Sequence, residues 1–275
     1  MTYQEICDIL TDAGIENART EALLLIGFAT KKSRAAVLAS PEYDYTENDL
    51  FSAIDKRCSH YPLQYILGEW DFYRESYEIN ESCLIPRSDT EILVDYAVKN
   101  LPEGARFADL CTGSGCIAVS TLANTNGTTA IAADKFEETL NVAKRNAEKN
   151  GVSSRFTGML CDVLLDSPFE NEEFDAILSN PPYIRSVVVD TLEEELFFEP
   201  RAALDGGSDG LIFYRHIVKE YGRNLKNNGF FAFEIGFDQE DDIKKIAKQF
   251  MYECEVFTDL SGNPRLAVLK KQDRR

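Results

Sequence analysis

Phe107-Ala108-Asp109-Leu110-Cys111-Thr112-Gly113-Ser114-Gly115-Cys116-Ile117-Ala118 runs from a short apolar segment, through a turn with two glycines, into an apolar helix-like stretch. A strand that turns on glycines into a helix is the opening unit of a parallel α/β sheet. Gly113 and Gly115 let the backbone come close to a ligand, because no Cβ stands in the way. Gly113-x-Gly115-x-x-Ala118 alone also fits a dinucleotide fingerprint, so the loop does not name its ligand. Asp109 narrows the choice. A carboxylate at the strand end would repel a pyrophosphate but attract a cationic amino group, such as the methionine ammonium of S-adenosylmethionine.

The same texture continues to the end of the chain. Strands are expected over 129–133, near 159–161, and over 174–178, 230–235, 254–257 and 266–269. Helices are expected over 116–123, 137–150, 211–225 and 241–250. This alternation predicts a doubly wound parallel sheet closed by an antiparallel last hairpin. Three further strand ends carry chemistry. Asp134 lies about 20 residues beyond the glycines, where an acid grips ribose hydroxyls. Cys161-Asp162-Val163 offers a carboxylate or backbone group for the adenine amino group, and Val163 a surface for its ring. Asn180-Pro181-Pro182-Tyr183 follows the fourth strand. Its prolines stiffen the turn and remove two backbone donors, leaving carbonyls free to accept. Asn180, just before a proline, is driven away from helical angles. An amide oxygen and a proline carbonyl beside a flat ring suit a planar substrate bearing an NH2 group. Expected on one rim are therefore Asp109, Cys111, Thr112, Gly113, Ser114, Gly115, Asp134, Asp162, Val163, Asn180, Pro181, Pro182 and Tyr183.

Upstream, residues 1–60 read as a small helical domain. Thr2 and Glu5 have capping-box spacing; Asn17, Ser33 and Thr46 are placed to open three more helices. The domain carries no catalytic cluster, and both a stabilising cap and a partner-docking module remain open. Residues 61–85, with Leu63-Gln64-Tyr65-Ile66 and Trp70-Asp71-Phe72-Tyr73, read as short strands around a turn at Gly68, a β-hairpin linker. Ser88 and Glu91 form a second capping box, at the entrance to the 86–275 domain.

The chain has 275 residues and a net charge of −18. That charge opposes stable nucleic-acid binding, which draws on clustered Lys and Arg. The seven cysteines are odd in number, contain no CxxC pair, and stand with only two histidines, so no metal site is expected. Reduced thiols, no signal peptide and no membrane-length apolar run point to the cytoplasm. Cys58, Cys83 and Cys254 read as core thiols. Glu193-Glu194-Glu195 reads as a solvated helix face or a surface for basic partner residues.

With these residues in place, the chain resembles the HemK/PrmC family of peptide chain release factor glutamine N5-methyltransferases. The resemblance covers essentially the whole chain: the helical domain, Gly68-Glu69-Trp70-Asp71-Phe72, Ile85-Pro86-Arg87-Ser88-Asp89-Thr90-Glu91, the glycine loop, Asn180-Pro181-Pro182-Tyr183-Ile184, Phe198-Glu199-Pro200-Arg201-Ala202-Ala203-Leu204 and Gly206-Gly207-Ser208-Asp209-Gly210-Leu211. It implies a Rossmann-like seven-stranded methyltransferase sheet with a small helical N-terminal domain. It also implies S-adenosylmethionine as cofactor, S-adenosylhomocysteine as product, and the Gly-Gly-Gln glutamine of class-1 release factors as substrate. A monomer is expected. Two positions depart from the family: Ser88 stands where Pro is usual, and Cys111 where Gly is usual. A glutamine methyltransferase acting on a ribosomal protein and an amino-group DNA methyltransferase share the Asn-Pro-Pro-Tyr logic. A nicotinamide dehydrogenase would leave that motif unused, and a non-enzymatic cofactor-binding scaffold would not need it intact.

Overall fold

A computed structural model describes residues 1–166 and 168–271. The chain divides into two compact units, Met1–Glu69 with Glu193–Phe198, and Trp70–Leu192 with Glu199–Arg275.

The first unit is built from helices α1 (Tyr3–Asp12), α2 (Ala18–Thr30), α3 (Arg34–Leu38), α4 (Asn48–Cys58) and α5 (Leu63–Leu67). Thr2 caps α1 as expected: its hydroxyl accepts from the Glu5 N–H, and the Glu5 carboxylate accepts from the Thr2 N–H at 2.7 Å. Ser33 caps α3 through the Ala36 N–H, whereas Asn17 makes no side-chain cap and α4 begins after Glu47 rather than Thr46. Ile6, Leu10, Ala22, Leu25, Ile26, Leu50 and Ile54 fill the core. The expected strand at 63–66 is instead α5. Leu63 and Ile66 lie three apart and are both buried, a helical spacing, and Gly68 at φ 72° ends the turn in the left-handed region.

Glu193–Phe198 belongs to this unit through side chains. Arg57, almost fully buried, donates through Nε to Glu21 at 2.5 Å and through Nη2 to Glu195 at 2.6 Å. Phe198 meets Tyr61 edge-on, with centroids 5.2 Å apart. The acidic run is thus partly a structural anchor, which charge alone did not reveal.

A hairpin of β1 (Glu69–Phe72) and β2 (Glu75–Glu78), all but its first residue in the second unit, comes next, followed by α6 (Glu91–Asn100). Then come β3 (Arg106–Leu110), α7 (Cys116–Ala123), β4 (Thr129–Asp134), α8 (Glu137–Lys149), β5 (Phe156–Leu160) and β6 (Phe174–Ser179). The short α9 (Ser186–Val189), α10 (Ile212–Tyr221), β7 (Leu225–Glu234), α11 (Glu240–Gln249), β8 (Tyr252–Thr258) and β9 (Pro264–Lys271) complete it. Strands β5-β4-β3-β6-β7-β9-β8 form one sheet. The first five run parallel, and β9 is antiparallel to both β7 and β8. This is the expected α/β, Rossmann-like seven-stranded sheet with an antiparallel last hairpin.

The expected capping box at Ser88 and Glu91 does not form. Ser88–Thr90 is a single 3-10 turn, and the Glu91 carboxylate accepts instead from the backbone N–H of Tyr73 at 2.8 Å. A long-range partner has taken the group that local spacing assigned to a cap.

Register places the site. Leu110 lies opposite both Ala133 and Ser179, and Ser179 opposite Phe233. Residues 111, 134, 180 and 234 therefore leave the sheet along one edge. Strand order reverses between β3 and β6, and the crevice outside the carboxyl ends at such a switch point is where open α/β sheets bind ligands. The Ser179 hydroxyl donates to the Leu110 carbonyl at 2.6 Å, pinning the two strands at that point.

Candidate active site

A cavity of about 350 Å³ lies at this edge, within the range of small-molecule sites. Of the residues read from the sequence, Cys111, Thr112, Gly113, Ser114, Asp134, Asp162, Val163, Asn180 and Pro182 line it. Asp109, Gly115, Pro181 and Tyr183 are not on its wall.

Asp109 sits fully buried beneath the glycine loop. Its Oδ2 accepts from the Thr112 hydroxyl at 2.6 Å and from the Ala118 N–H at 3.2 Å, so the carboxylate shapes the loop and the first turn of α7. Burial pushes its carboxyl up to about 7, against the pull of those two donors. Direct reach to a ligand ammonium thus gives way to an effect through loop shape and field. Gly115, at φ 82°, packs against α8, and a Cβ there would come 3.0 Å from the Ala143 Cβ. Cys111 adopts φ 60° although it is not glycine, a backbone conformation that strains an L side chain. The glycine that the resemblance leads one to expect at this position would be free of that strain.

Asp134 is held on both oxygens. Oδ2 accepts from the Gly113 N–H at 3.0 Å and Oδ1 from the Phe136 N–H at 3.1 Å. Burial raises this carboxyl while the backbone donors oppose the rise. For Asp162 the balance is reversed. Burial raises it, but the Lys135 ammonium at 2.9 Å and the Leu164 N–H outweigh that and hold it below the usual range.

Asn180 follows β6 and faces the cavity with its amide oriented. Its Nδ2 donates to Thr90 Oγ1 at 3.2 Å, which leaves the carbonyl oxygen as the end that can accept. The next residues pair with a distant segment. The Ile184 N–H donates to the Leu204 carbonyl, and the Gly206 N–H donates back to the Ile184 carbonyl at 2.8 Å. A Cβ on Gly206 would stand 2.7 Å from the Pro182 oxygen, so glycine is what lets these two backbones lie together. Gln239 Nε2 donates to the Tyr183 carbonyl at 3.1 Å. The Asn-Pro-Pro-Tyr turn is thus braced by Thr90, by the segment around Leu204 and Gly206, and by Gln239.

Several wall residues escaped the sequence reading as site groups: Cys83, Pro86, Arg87, Thr90 and Ala203 among them. Cys83, expected as a core thiol, is buried yet borders the cavity. Arg87 pairs with the Glu199 carboxylate, whose other oxygen accepts from the Ile85 N–H at 3.0 Å. The signal was available as two segments, Ile85-Pro86-Arg87 and Glu199-Pro200-Arg201, but only the fold shows that they meet.

The residues suit S-adenosylmethionine. The cavity runs along a glycine loop and a strand-end acid, and the Ser114 hydroxyl on its wall is buried with no protein partner. Buried polar atoms left open in this way call for a ligand or solvent partner. Fold and site together define an S-adenosylmethionine-dependent methyltransferase.

Comparison with known proteins refines this. The PrmC N-terminal domain profile matches residues 2–68, and the methyltransferase small domain profile matches residues 88–228. The release factor glutamine methyltransferase of Clostridium botulinum is 35% identical over 270 residues, covering 96% of this chain and 95% of that one. The protein of the same name from Moorella thermoacetica is 36% identical over 271 residues, covering 96% and 95%. Among solved structures, the hMettl16 catalytic domain, determined with the MAT2A 3′UTR hairpin 1, shares the fold at a TM-score of 0.58 with 14% identity, covering 82% of this chain and 80% of that one. The chain belongs to the release factor glutamine methyltransferase family.

Proposed function

We propose that this enzyme methylates the side-chain amide (N5) of the glutamine in the Gly-Gly-Gln motif of class-1 peptide chain release factors. The observation that carries the reading is the Asn180 amide on the cavity wall, whose NH2 is engaged by Thr90, so that its oxygen is the end left to accept. A substrate carboxamide presents two N–H donors and therefore seeks acceptors.

S-adenosylmethionine, when bound, supplies a methyl group on a positively charged sulfur and leaves as S-adenosylhomocysteine. Asp134 would take its ribose hydroxyls, Asp162 and Val163 its adenine, and the Cys111–Gly115 loop its methionine portion. The Asn180 oxygen would accept one N–H of the substrate amide, and the Pro181 carbonyl, next along the turn although not on the cavity wall, would accept the other. That aims the nitrogen and offsets positive charge as it develops there. Pro182 borders the cavity. Tyr183 is braced through its hydroxyl and its carbonyl, and its ring would lie against the planar substrate amide. An amide nitrogen is a weak nucleophile, so most of the acceleration must come from positioning, which contributes roughly 7–11 kcal/mol in well-oriented reactions.

No helix among the described residues is long and apolar enough to cross a membrane, and no disulfide joins the cysteines among them. On the proposed reading, the enzyme meets its release factor in the cytoplasm, acting as a monomer. The test is methyl transfer from labelled S-adenosylmethionine, with release factor, ribosomal protein and duplex DNA offered in parallel and the products read by mass spectrometry. One added methyl on the Gly-Gly-Gln glutamine is the expected outcome. Label in ribosomal protein or DNA would overturn the substrate while leaving fold and cofactor standing.

A further inference from the structure

Glu234 closes β7 at the same sheet edge as Asn180, yet neither of its oxygens faces the cavity. It is buried, with 2% of its surface exposed. Oε2 accepts from the Thr90 hydroxyl at 2.5 Å, and Oε1 accepts from the Tyr183 hydroxyl at 3.1 Å. Thr90 in turn accepts from Asn180 Nδ2 at 3.2 Å. One carboxylate is therefore joined to both polar side chains of the Asn-Pro-Pro-Tyr turn, to one through an intermediary and to the other directly.

We propose that Glu234 is a positioning residue that sets which way round the Asn180 amide stands, acting through Thr90. This rests on the reading that the Asn180 oxygen receives the substrate amide. A carboxylate only accepts hydrogen bonds, and a threonine hydroxyl has a single proton to give. Once that proton is given to Glu234, Thr90 can face Asn180 only as an acceptor. The Asn180 NH2 must then point to Thr90 and its oxygen to the cavity. Reversing the polarity at Glu234 turns the whole relay over: Thr90 would donate to the Asn180 oxygen, and the NH2 would face the substrate. Two NH2 groups would then confront each other, with no acceptor for the amide that is to be aligned. The same carboxylate fixes the Tyr183 hydroxyl as a donor, so ring and amide are held from one point. Burial raises the Glu234 carboxyl above its ordinary range and Asp89 adds to the rise, while the Thr90 and Tyr183 hydroxyls and the positive charge of Arg265 favour the ionised, accepting form on which the relay depends. Glu234 is buried and is not on the cavity wall, which separates its role from that of Asn180.

The experiment uses the full chain with an intact release factor as methyl acceptor. Glu234→Gln keeps the shape but can donate toward Thr90, and Thr90→Val keeps the shape without a hydroxyl. Each is expected to lower kcat by about 10- to 100-fold, the usual cost of losing a group that orients a contacting one. KM for S-adenosylmethionine should stay within about threefold, because the cofactor side of the cavity is untouched. The double variant should be no slower than the slower single, since both break one relay. Thr90→Ser should recover most of what Thr90→Val loses. Thermal midpoints confirm that each variant is folded, and Thr90→Val carries the test if Glu234→Gln does not fold. Wild-type kcat in either folded variant, additive losses in the double, or Thr90→Ser as slow as Thr90→Val would overturn the relay. Asn180→Ala is the companion control. Normal turnover there overturns the underlying reading, whereas its loss beside fully active Glu234→Gln and Thr90→Val overturns the relay alone.

Discussion

Asp134 Oδ2 accepts the backbone N–H of Gly113 at 3.0 Å, so the acid that ends β4 is tied to the glycine loop that follows β3. One carboxylate thereby shapes the loop and presents itself to the cavity. Replacing it with alanine should loosen the loop and remove the ribose contact together. S-adenosylmethionine affinity is expected to fall about 10- to 100-fold, the range for losing charged hydrogen bonds of ~1.5–3 kcal/mol. Titration calorimetry with cofactor alone checks this, and an unchanged Kd would remove Asp134 from the cofactor site.

Asn180→Ala deletes the acceptor that faces the cavity. We expect kcat to drop by about 10²–10³, as when a single preorganised polar group is lost from a reacting centre. Cofactor affinity should change far less. Steady-state kinetics with release factor as acceptor separates the two effects, and near-normal turnover would exclude the proposed role.

Asp109 gives a pH signature. Burial lifts its carboxyl to about 7, whereas an unfolded aspartate titrates near ~3.9. Between those values the folded protein keeps a proton that the unfolded chain has released. The stability contributed at this position is therefore fully present below about pH 4 and is lost as pH rises through about 7. Asp109→Asn lacks this titration. Urea unfolding at about pH 5 and about pH 8 should show wild type losing stability relative to Asp109→Asn as pH rises. A relative gain with rising pH would contradict the burial argument.

Cys111 carries a Cβ at φ 60°. Cys111→Gly and Cys111→Ala both remove the thiol from its packing against the core, but only glycine relieves the backbone. Cys111→Gly should therefore be the more stable of the two by about 1–2 kcal/mol. Denaturant midpoints of the two variants decide it, and equal stability would mean that the turn carries no strain.

Much of this molecule was legible from local sequence, for a physical reason. The buried parallel strands are continuous apolar runs, and their last residues change abruptly to Asp, Asn or Cys, so the rim could be read from where each run stops. Fold class, the sheet's last hairpin and nine of the cavity's wall residues followed from that. Boundaries and short elements were harder. Leu63-Gln64-Tyr65-Ile66 is apolar enough for a strand, and only its burial in a helical core makes it α5. Thr90, Glu199 and Glu234 were missed as site groups because their meaning lies in partners 90 to 144 positions away: Thr90 with Asn180 and Glu234, Glu199 with Ile85 and Arg87. Glu234 left one trace in the sequence, an acid closing an apolar strand as Asp109 and Asp134 do. Asp109 shows the opposite case. Its position was legible, but its burial beneath the loop was not.

The anchoring of Glu193–Phe198 on Arg57 and Tyr61 has a practical consequence for anyone exchanging parts between relatives. The helical unit is joined to the sheet unit by three peptide bonds, those after Glu69, Leu192 and Phe198, rather than by a single tether. Cutting the chain once, after Glu69, would strip Glu195 and Phe198 of their companions and leave an acidic, aromatic stub in the remainder. A chimera that swaps the helices must carry the six-residue segment with them, as a cassette of two pieces.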